Sequence, residues 1–217
     1  MTTQPPDASP PMMGDTAPSV PARVGATIAR LQRESARTDR PTSWAAATLA
    51  ALRNATPGRV DETPASWDVV YSTLPEEALG RGDDISWDER ATHAALVLYA
   101  VHQTSQSAPM HQPEVRLGQA LRRLPDATDE KSPILRRFTS LVSASTFDAT
   151  LYHLRSLIAL LRRDGITLDY VRLCQDLVRL QSPRTAPVVR RQWGRDFFGG
   201  RGVDAPAPDG ASVESSS

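Results

Sequence analysis

Four histidines, one cysteine and a series of paired arginines are the groups in this sequence best equipped for chemistry. His93, His102, His111 and His153 stand in no HExxH, CxxC or His-Asp pattern. With Cys174 as the single cysteine, neither a disulfide nor a multi-cysteine zinc site can form within the chain. His93 and His102 are nine positions apart, which at about 100° per residue points them to opposite faces of one helix, so they make no pair. A Gly-rich phosphate loop is missing too, because the only lysine, Lys131, lies outside any GxxxxGK context. A catalytic base, its orienter and a nucleophile cannot be assembled from these residues, so the histidines read as scaffold and no cofactor is implied.

The arginines tell a different story. Formal charge is zero overall, but residues 115–200 carry 15 Lys or Arg against 8 acids, a net +7, whereas residues 21–114 carry a net −3. Arg136-Arg137, Arg162-Arg163 and Arg190-Arg191 are doublets on three separate helical segments, with Arg184 and Arg195 around the last. Arg155 and Arg162 are seven residues apart and project to nearly the same side of their helix. The planar guanidinium fork binds phosphate bidentately, so this half of the chain is suited to a nucleic-acid backbone, with salt-sensitive affinity and little sequence preference. Aromatic residues here mostly fall on apolar stripes, which makes base stacking secondary to charge.

The elements that must hold these groups are helical. No stretch alternates in the manner of a strand, and an all-α fold of roughly nine helices is expected. A first helix covers about 21–38 with Val24, Ile28 and Leu31 inward, and a second follows "RPTS", whose Pro41, Thr42 and Ser43 are a start signal, with Trp44, Thr48, Leu49 and Leu52. In "SWDERATHAALVLYAVHQ" Ser86 and Glu89 form a capping box ahead of a segment apolar on all sides, hence central and buried. "PEVRLGQALRRLP" reads as a helix begun by Pro113, with Gly118 permitting a close crossing. Phe147, Leu151, Leu154, Ile158 and Leu161 make one stripe, and Tyr170, Leu173, Cys174, Leu177 and Val178 another, so Cys174 is packing and not a nucleophile. Arg172 and Asp176 are spaced as a surface ion pair. Two small lobes, about 21–110 and 115–198, lie between a Pro-rich tail (1–20) and a Gly/Pro/Ser-rich tail (199–217), both expected to be disordered. The longest apolar run, "AALVLYAV", is far shorter than the roughly 20 residues that span a bilayer, and a single cysteine fits a reducing cytoplasm.

An ordered series of motifs, "SWAAATLAALRNATPG", "SWDVVYSTLP", "ALVLYAVHQTSQSAPMHQPEVRLGQALRRL", "RRFTSLVSASTFDATLYHLRSLIALLRRDGITLDYVRLCQDL" and "VVRRQWGRDFF", resembles the CasB family, the small subunit of the type I-E CRISPR effector complex Cascade. The resemblance covers residues 21–198. It implies a non-catalytic, two-lobed helical subunit of a prokaryotic, cytoplasmic antiviral ribonucleoprotein. Such a subunit is present as a pair of copies, contacts the backbone and large subunits of the crRNA-guided complex, and supports the R-loop by cradling the displaced strand of the target DNA. Guide pairing then supplies the sequence specificity. Carried over by position, the nucleic-acid contacts would be Arg53, Arg136, Arg137, Arg155, Arg184, Arg190 and Arg191; Arg162 joins them on helical geometry. His102, Gln103 and His111 would fix the connection into the basic half or touch a partner. A free-standing helical DNA-binding regulator is the alternative, although no compact helix-turn-helix is evident; a small hydrolase built on His93, His102 or His153 has no motif behind it.

Overall fold

Residues 91–100 are buried on every side, and the remaining helices are arranged around them. The computed structural model describes residues 18–36 and 42–199. Most of both expected tails, and the expected end of the first helix at Thr38, lie outside those residues.

Among the described residues there are nine α-helices: α1 (Val20–Ser35), α2 (Ser43–Asn54), α3 (Trp67–Thr73), α4 (Trp87–Gln103), α5 (Leu117–Arg122), α6 (Pro133–Ser143), α7 (Phe147–Arg163), α8 (Tyr170–Leu180) and α9 (Ala186–Phe198). Short 3-10 turns precede α3 (Pro64–Ser66) and follow it (Glu76–Ala78). Among the described residues, extended pairing is confined to an isolated bridge between His111 and Leu168.

Side-chain caps start five of the helices. Thr42, Ser132, Thr146 and Asp169 accept backbone N–H bonds at the heads of α2, α6, α7 and α8. At α4 the capping box is complete: Ser86 Oγ accepts from Glu89 N at 3.0 Å, and Glu89 Oε2 accepts from Ser86 N at 2.6 Å. The same carboxylate takes the N–H of Gly80 at 2.8 Å, which ties the preceding loop to the helix head.

The small side chains Ala91, Ala94, Ala95 and Ala100 let neighbours approach α4 closely, and it packs against α1, α2, α3, α7 and α8. The expected inward residues of α1, Val24, Ile28 and Leu31, are all buried. Those of α7 are buried except Phe147, which is half-buried, and Leu157 joins the stripe. α5 lies across α9, and α6 packs on α7 and α9. Gly118 permits that α5–α9 crossing: a Cβ there would stand 2.4 Å from the Trp193 carbonyl oxygen and 2.8 Å from Phe197 N.

Pro113 does not start a helix. α5 begins four residues later, because Glu114 adopts φ +68 and its N–H donates to Asp169 Oδ2 at 3.0 Å, while Asp169 N donates to the Val115 carbonyl at 2.8 Å. A residue in the left-handed region cannot sit inside a right-handed helix, so residues 110–115 pair with the entry to α8 instead.

Candidate nucleic-acid interface

The arginine doublets reach the surface because the apolar stripes of their helices turn inward. In α6, Ile134, Phe138 and Leu141 are buried, which leaves Arg136 and Arg137 exposed. Arg136 Nη1 donates to the Lys131 carbonyl at 3.1 Å, so its side chain folds back over the head of the helix. In α9, Val189, Trp193 and Phe197 are buried and Arg191 is exposed. Phe138 and Phe197 stack at 4.1 Å and 12°, which places the α6 and α9 doublets on adjoining helices. Arg184 is exposed in the turn between α8 and α9, its backbone N–H held by Ser182 Oγ at 3.3 Å.

The other sequence-selected arginines, Arg53, Arg155, Arg162 and Arg190, are half-buried, and the guanidiniums of Arg155 and Arg190 are engaged inside the fold. Arg155 on α7 donates from Nη1 to the Ala55 carbonyl at 3.0 Å and from Nη2 to the Arg53 carbonyl at 3.2 Å, gripping the C-terminus of α2. Cations suit that end of a helix, where carbonyls lack partners. Arg53 is drawn beside Arg155 by this grip. Arg190 Nη2 donates to the Ala144 carbonyl at 2.6 Å and fastens α9 to the end of α6. Arg162 is half-buried two turns beyond Arg155, and its carbonyl accepts from Gln106 Nε2 at 3.0 Å. The structure thus puts Arg136 and Arg137 near the head of α6 and Arg190 at the opposite end of that helix, with Arg191 beside it in sequence and Arg184 in the turn before α9; separately, the Arg155 guanidinium sits on the Arg53 carbonyl.

Four ion pairs occur among the described residues: Arg59–Asp148, Arg90–Asp148, Arg116–Asp196 and Arg163–Asp164. None of them takes up Arg136, Arg137, Arg184 or Arg191. The spacing-based Arg172–Asp176 pair is absent as well; Asp176 is buried and accepts the Trp193 indole N–H instead. Sequence reasoning left out one basic feature, an open concavity of about 480 Å³ lined by Gln119, Arg122, Arg123 and Asp196. The doublet Arg122-Arg123 was its visible signal.

His102 and His111 tie α4 and the following loop to Tyr170 at the head of α8. His102 is fully buried, its Nδ1 3.0 Å from the Tyr170 hydroxyl, which also lies 3.2 Å from the Leu98 carbonyl. Burial pushes it down to about 4, opposed by the Ile166 carbonyl and aided by Arg162. His93 is likewise buried and lowered to about 4 by desolvation, with Asp61 opposing. His111 Nδ1 accepts the Tyr170 N–H at 3.2 Å. Gln103 organises the following loop: its Oε1 accepts from Met110 N at 3.0 Å, and its Nε2 donates to the carbonyls of Gln106 and Ala108. Cys174 is buried, and desolvation pushes its thiol up to about 12, far from nucleophilic. Among the described residues no group of three or more His, Cys, Asp or Glu could hold a metal ion, and no helix is long and apolar enough to cross a membrane.

Residues 48–198 match the family described as CRISPR-associated protein Cse2. The fold is similar to the crystal structure of CasB from Thermobifida fusca, with 35% identity over 82% of this chain and 97% of that one and a TM-score of 0.66. CasB from Thermus thermophilus is 25% identical, over 81% of this chain and 97% of that one, with a TM-score of 0.58. A chain of a CRISPR RNA-guided surveillance complex shares the fold at 24% identity and a TM-score of 0.58, over 82% of this chain and 93% of that one. Among curated proteins there is no match.

Proposed function

The chain belongs to the family of CRISPR-associated protein Cse2, and from that premise we propose that it is a non-catalytic small subunit of a type I-E Cascade ribonucleoprotein. In this reading it sits beside the backbone and large subunits and a second copy of itself on the crRNA-guided complex, in the prokaryotic cytoplasm. Its task is to stabilise the R-loop by holding the displaced strand of the target DNA electrostatically.

The observation that carries this reading is the set Arg136, Arg137, Arg184 and Arg191. All four are exposed, on the adjoining helices α6 and α9 or in the turn that leads into α9, and outside every ion pair among the described residues. Cations so placed stay available to phosphate, and a chain contacting them would be held through its backbone, leaving sequence to guide pairing. Arg190 spends a donor on the Ala144 carbonyl and fastens α9 to α6, whereas Arg155, with Arg53 and Arg162, belongs to the separate α2–α7 group. A free-standing duplex-reading regulator would concentrate its contacts on one recognition helix; here the cations are spread over α6, α9 and a turn.

The test is protection of the displaced strand in a reconstituted complex, comparing wild type with the combined Arg136→Ala, Arg137→Ala, Arg184→Ala, Arg191→Ala variant. Arg155 stays intact because its loss would loosen α2. Normal assembly with weakened protection, and a salt dependence shallower by about 3 in the log–log slope, is the expected result. Unchanged protection would show that the subunit acts through protein contacts alone.

A further inference from the structure

Trp87 is 52% exposed, more than any other large apolar side chain among the described residues except Tyr152. It stands at the first position of α4 and borders an open concavity of about 390 Å³ between the head of α4, the α6–α7 junction and the α8–α9 turn. That size falls within the roughly 300–1,000 Å³ of small-molecule sites. Its backbone is fixed, because Gln181 Nε2 donates to the Trp87 carbonyl at 2.8 Å. Also lining the concavity, the guanidinium of Arg90 lies over the Phe147 ring at 4.9 Å and is bonded to Asp148 at 2.8 Å, a carboxylate it shares with Arg59. Two further lining residues each carry a buried polar atom without a partner: Gln181 Oε1, an acceptor, and Arg190 Nε, a donor. Buried groups of that kind are uncommon and costly to leave unmatched.

We infer that this concavity is a stacking site for one unpaired nucleobase of a single DNA strand. Every base has a π-face to lay on an exposed indole, and its edge offers hydrogen-bond donors and acceptors of the kind Gln181 and Arg190 lack, reached by a small movement of either side chain. Arg184 and Arg191, exposed and adjacent in sequence to the lining residues Pro183 and Arg190, supply cations for the neighbouring phosphates. A duplex keeps its bases stacked on each other and cannot fill the site. The inference rests on the proposed role in binding the displaced strand and adds to it a preference for single strands that charge alone would not give.

The full chain, wild type, Trp87→Ala and Trp87→Phe, is titrated with a single-stranded thymidine oligomer, an abasic oligomer of the same length and a duplex. Trp87→Ala should weaken the thymidine oligomer roughly tenfold and leave the abasic oligomer and the duplex unchanged, while Trp87→Phe retains most of the affinity; thermal unfolding confirms that both variants fold. If wild type binds the thymidine and abasic oligomers and Trp87→Ala alters neither, or both equally, the stacking site is wrong and the charged surface stands. If Trp87→Ala instead loses only its association with partner subunits, the concavity receives protein, which also overturns the inference. If wild type binds no oligomer at all, the nucleic-acid reading falls together with it.

Discussion

The indole nitrogen of Trp193 on α9 donates to the carboxylate of Asp176 on α8 across 2.7 Å, with the two residues only 1% and 8% exposed. This bond joins two helices of the basic half through a charge that the interior would otherwise reject, and burial accordingly raises the Asp176 pKa. Asp176→Leu strands the indole N–H and should cost about 1–3 kcal/mol in urea unfolding. Asp176→Asn keeps an acceptor, drops the buried charge and should cost less. Equal losses in the two variants would mean that the bond contributes nothing beyond packing.

Gly118 and Gly194 should respond in opposite directions to alanine. A Cβ at Gly118 meets the Trp193 carbonyl oxygen, Asp196 Cβ and Phe197 N, mostly backbone that cannot move aside without parting α5 from α9. Gly118→Ala should destabilise by about 1–3 kcal/mol. At Gly194, inside α9, the added methyl has nothing within 4 Å, and alanine should stabilise by up to about 1 kcal/mol through helix propensity. Differential scanning calorimetry reads both; a destabilised Gly194→Ala would place an undescribed neighbour over α9.

Arg155 separates stability from binding. Its two hydrogen bonds satisfy carbonyls at the end of α2, so Arg155→Ala should cost about 1–3 kcal/mol, and lysine, lacking the planar fork, should recover only part. Arg137→Ala, exposed on α6, should leave the Tm within a degree or so and change only nucleic-acid affinity. A stable Arg155→Ala with weakened DNA binding would return Arg155 to the contact surface.

What could be read from the residue string follows from how local the signal is. Ser86 and Glu89 are three residues apart and satisfy each other, so the head of α4 was visible without a structure. The stripes of α1, α7 and α8 were visible for the same reason, since a helical period is a short-range pattern. Arg155 meets its carbonyl partners about 100 positions away, and nothing within a few residues distinguishes it from the exposed Arg137. Pro113 failed as a start signal because Asp169, 56 residues on, captures the N–H of Glu114. The charge surplus of residues 115–200 marked the half of the chain that holds the exposed doublet Arg136-Arg137 and the exposed Arg184 and Arg191. It could not separate the arginines that grip the interior from those left facing solvent, because that division is made by packing between helices.

His93 and His102 set the final expectation, on acid stability. Each is fully buried and lowered from an ordinary 6.5 to about 4, so over pH 6.5 to 4 the unfolded chain holds a proton that the folded chain refuses. Their contribution to stability is therefore complete above pH 6.5 and is lost as the pH falls toward 4, by about 2 kcal/mol per histidine at pH 5. Asp176, raised by burial, works in the opposite direction, because the folded chain takes up its proton first as acid is added. Urea titrations at pH 7.5 and pH 5 should show a clear drop for wild type, and a drop smaller by about 2 kcal/mol in His102→Gln, whatever that substitution costs at pH 7.5. The comparison cancels lost packing, since a glutamine that fits poorly fits equally poorly at both pH values. A His102→Gln variant with the full wild-type acid sensitivity would show that His102 accepts a proton in place, and that the Tyr170 hydroxyl and the Ile166 carbonyl stabilise its charged form better than burial opposes it.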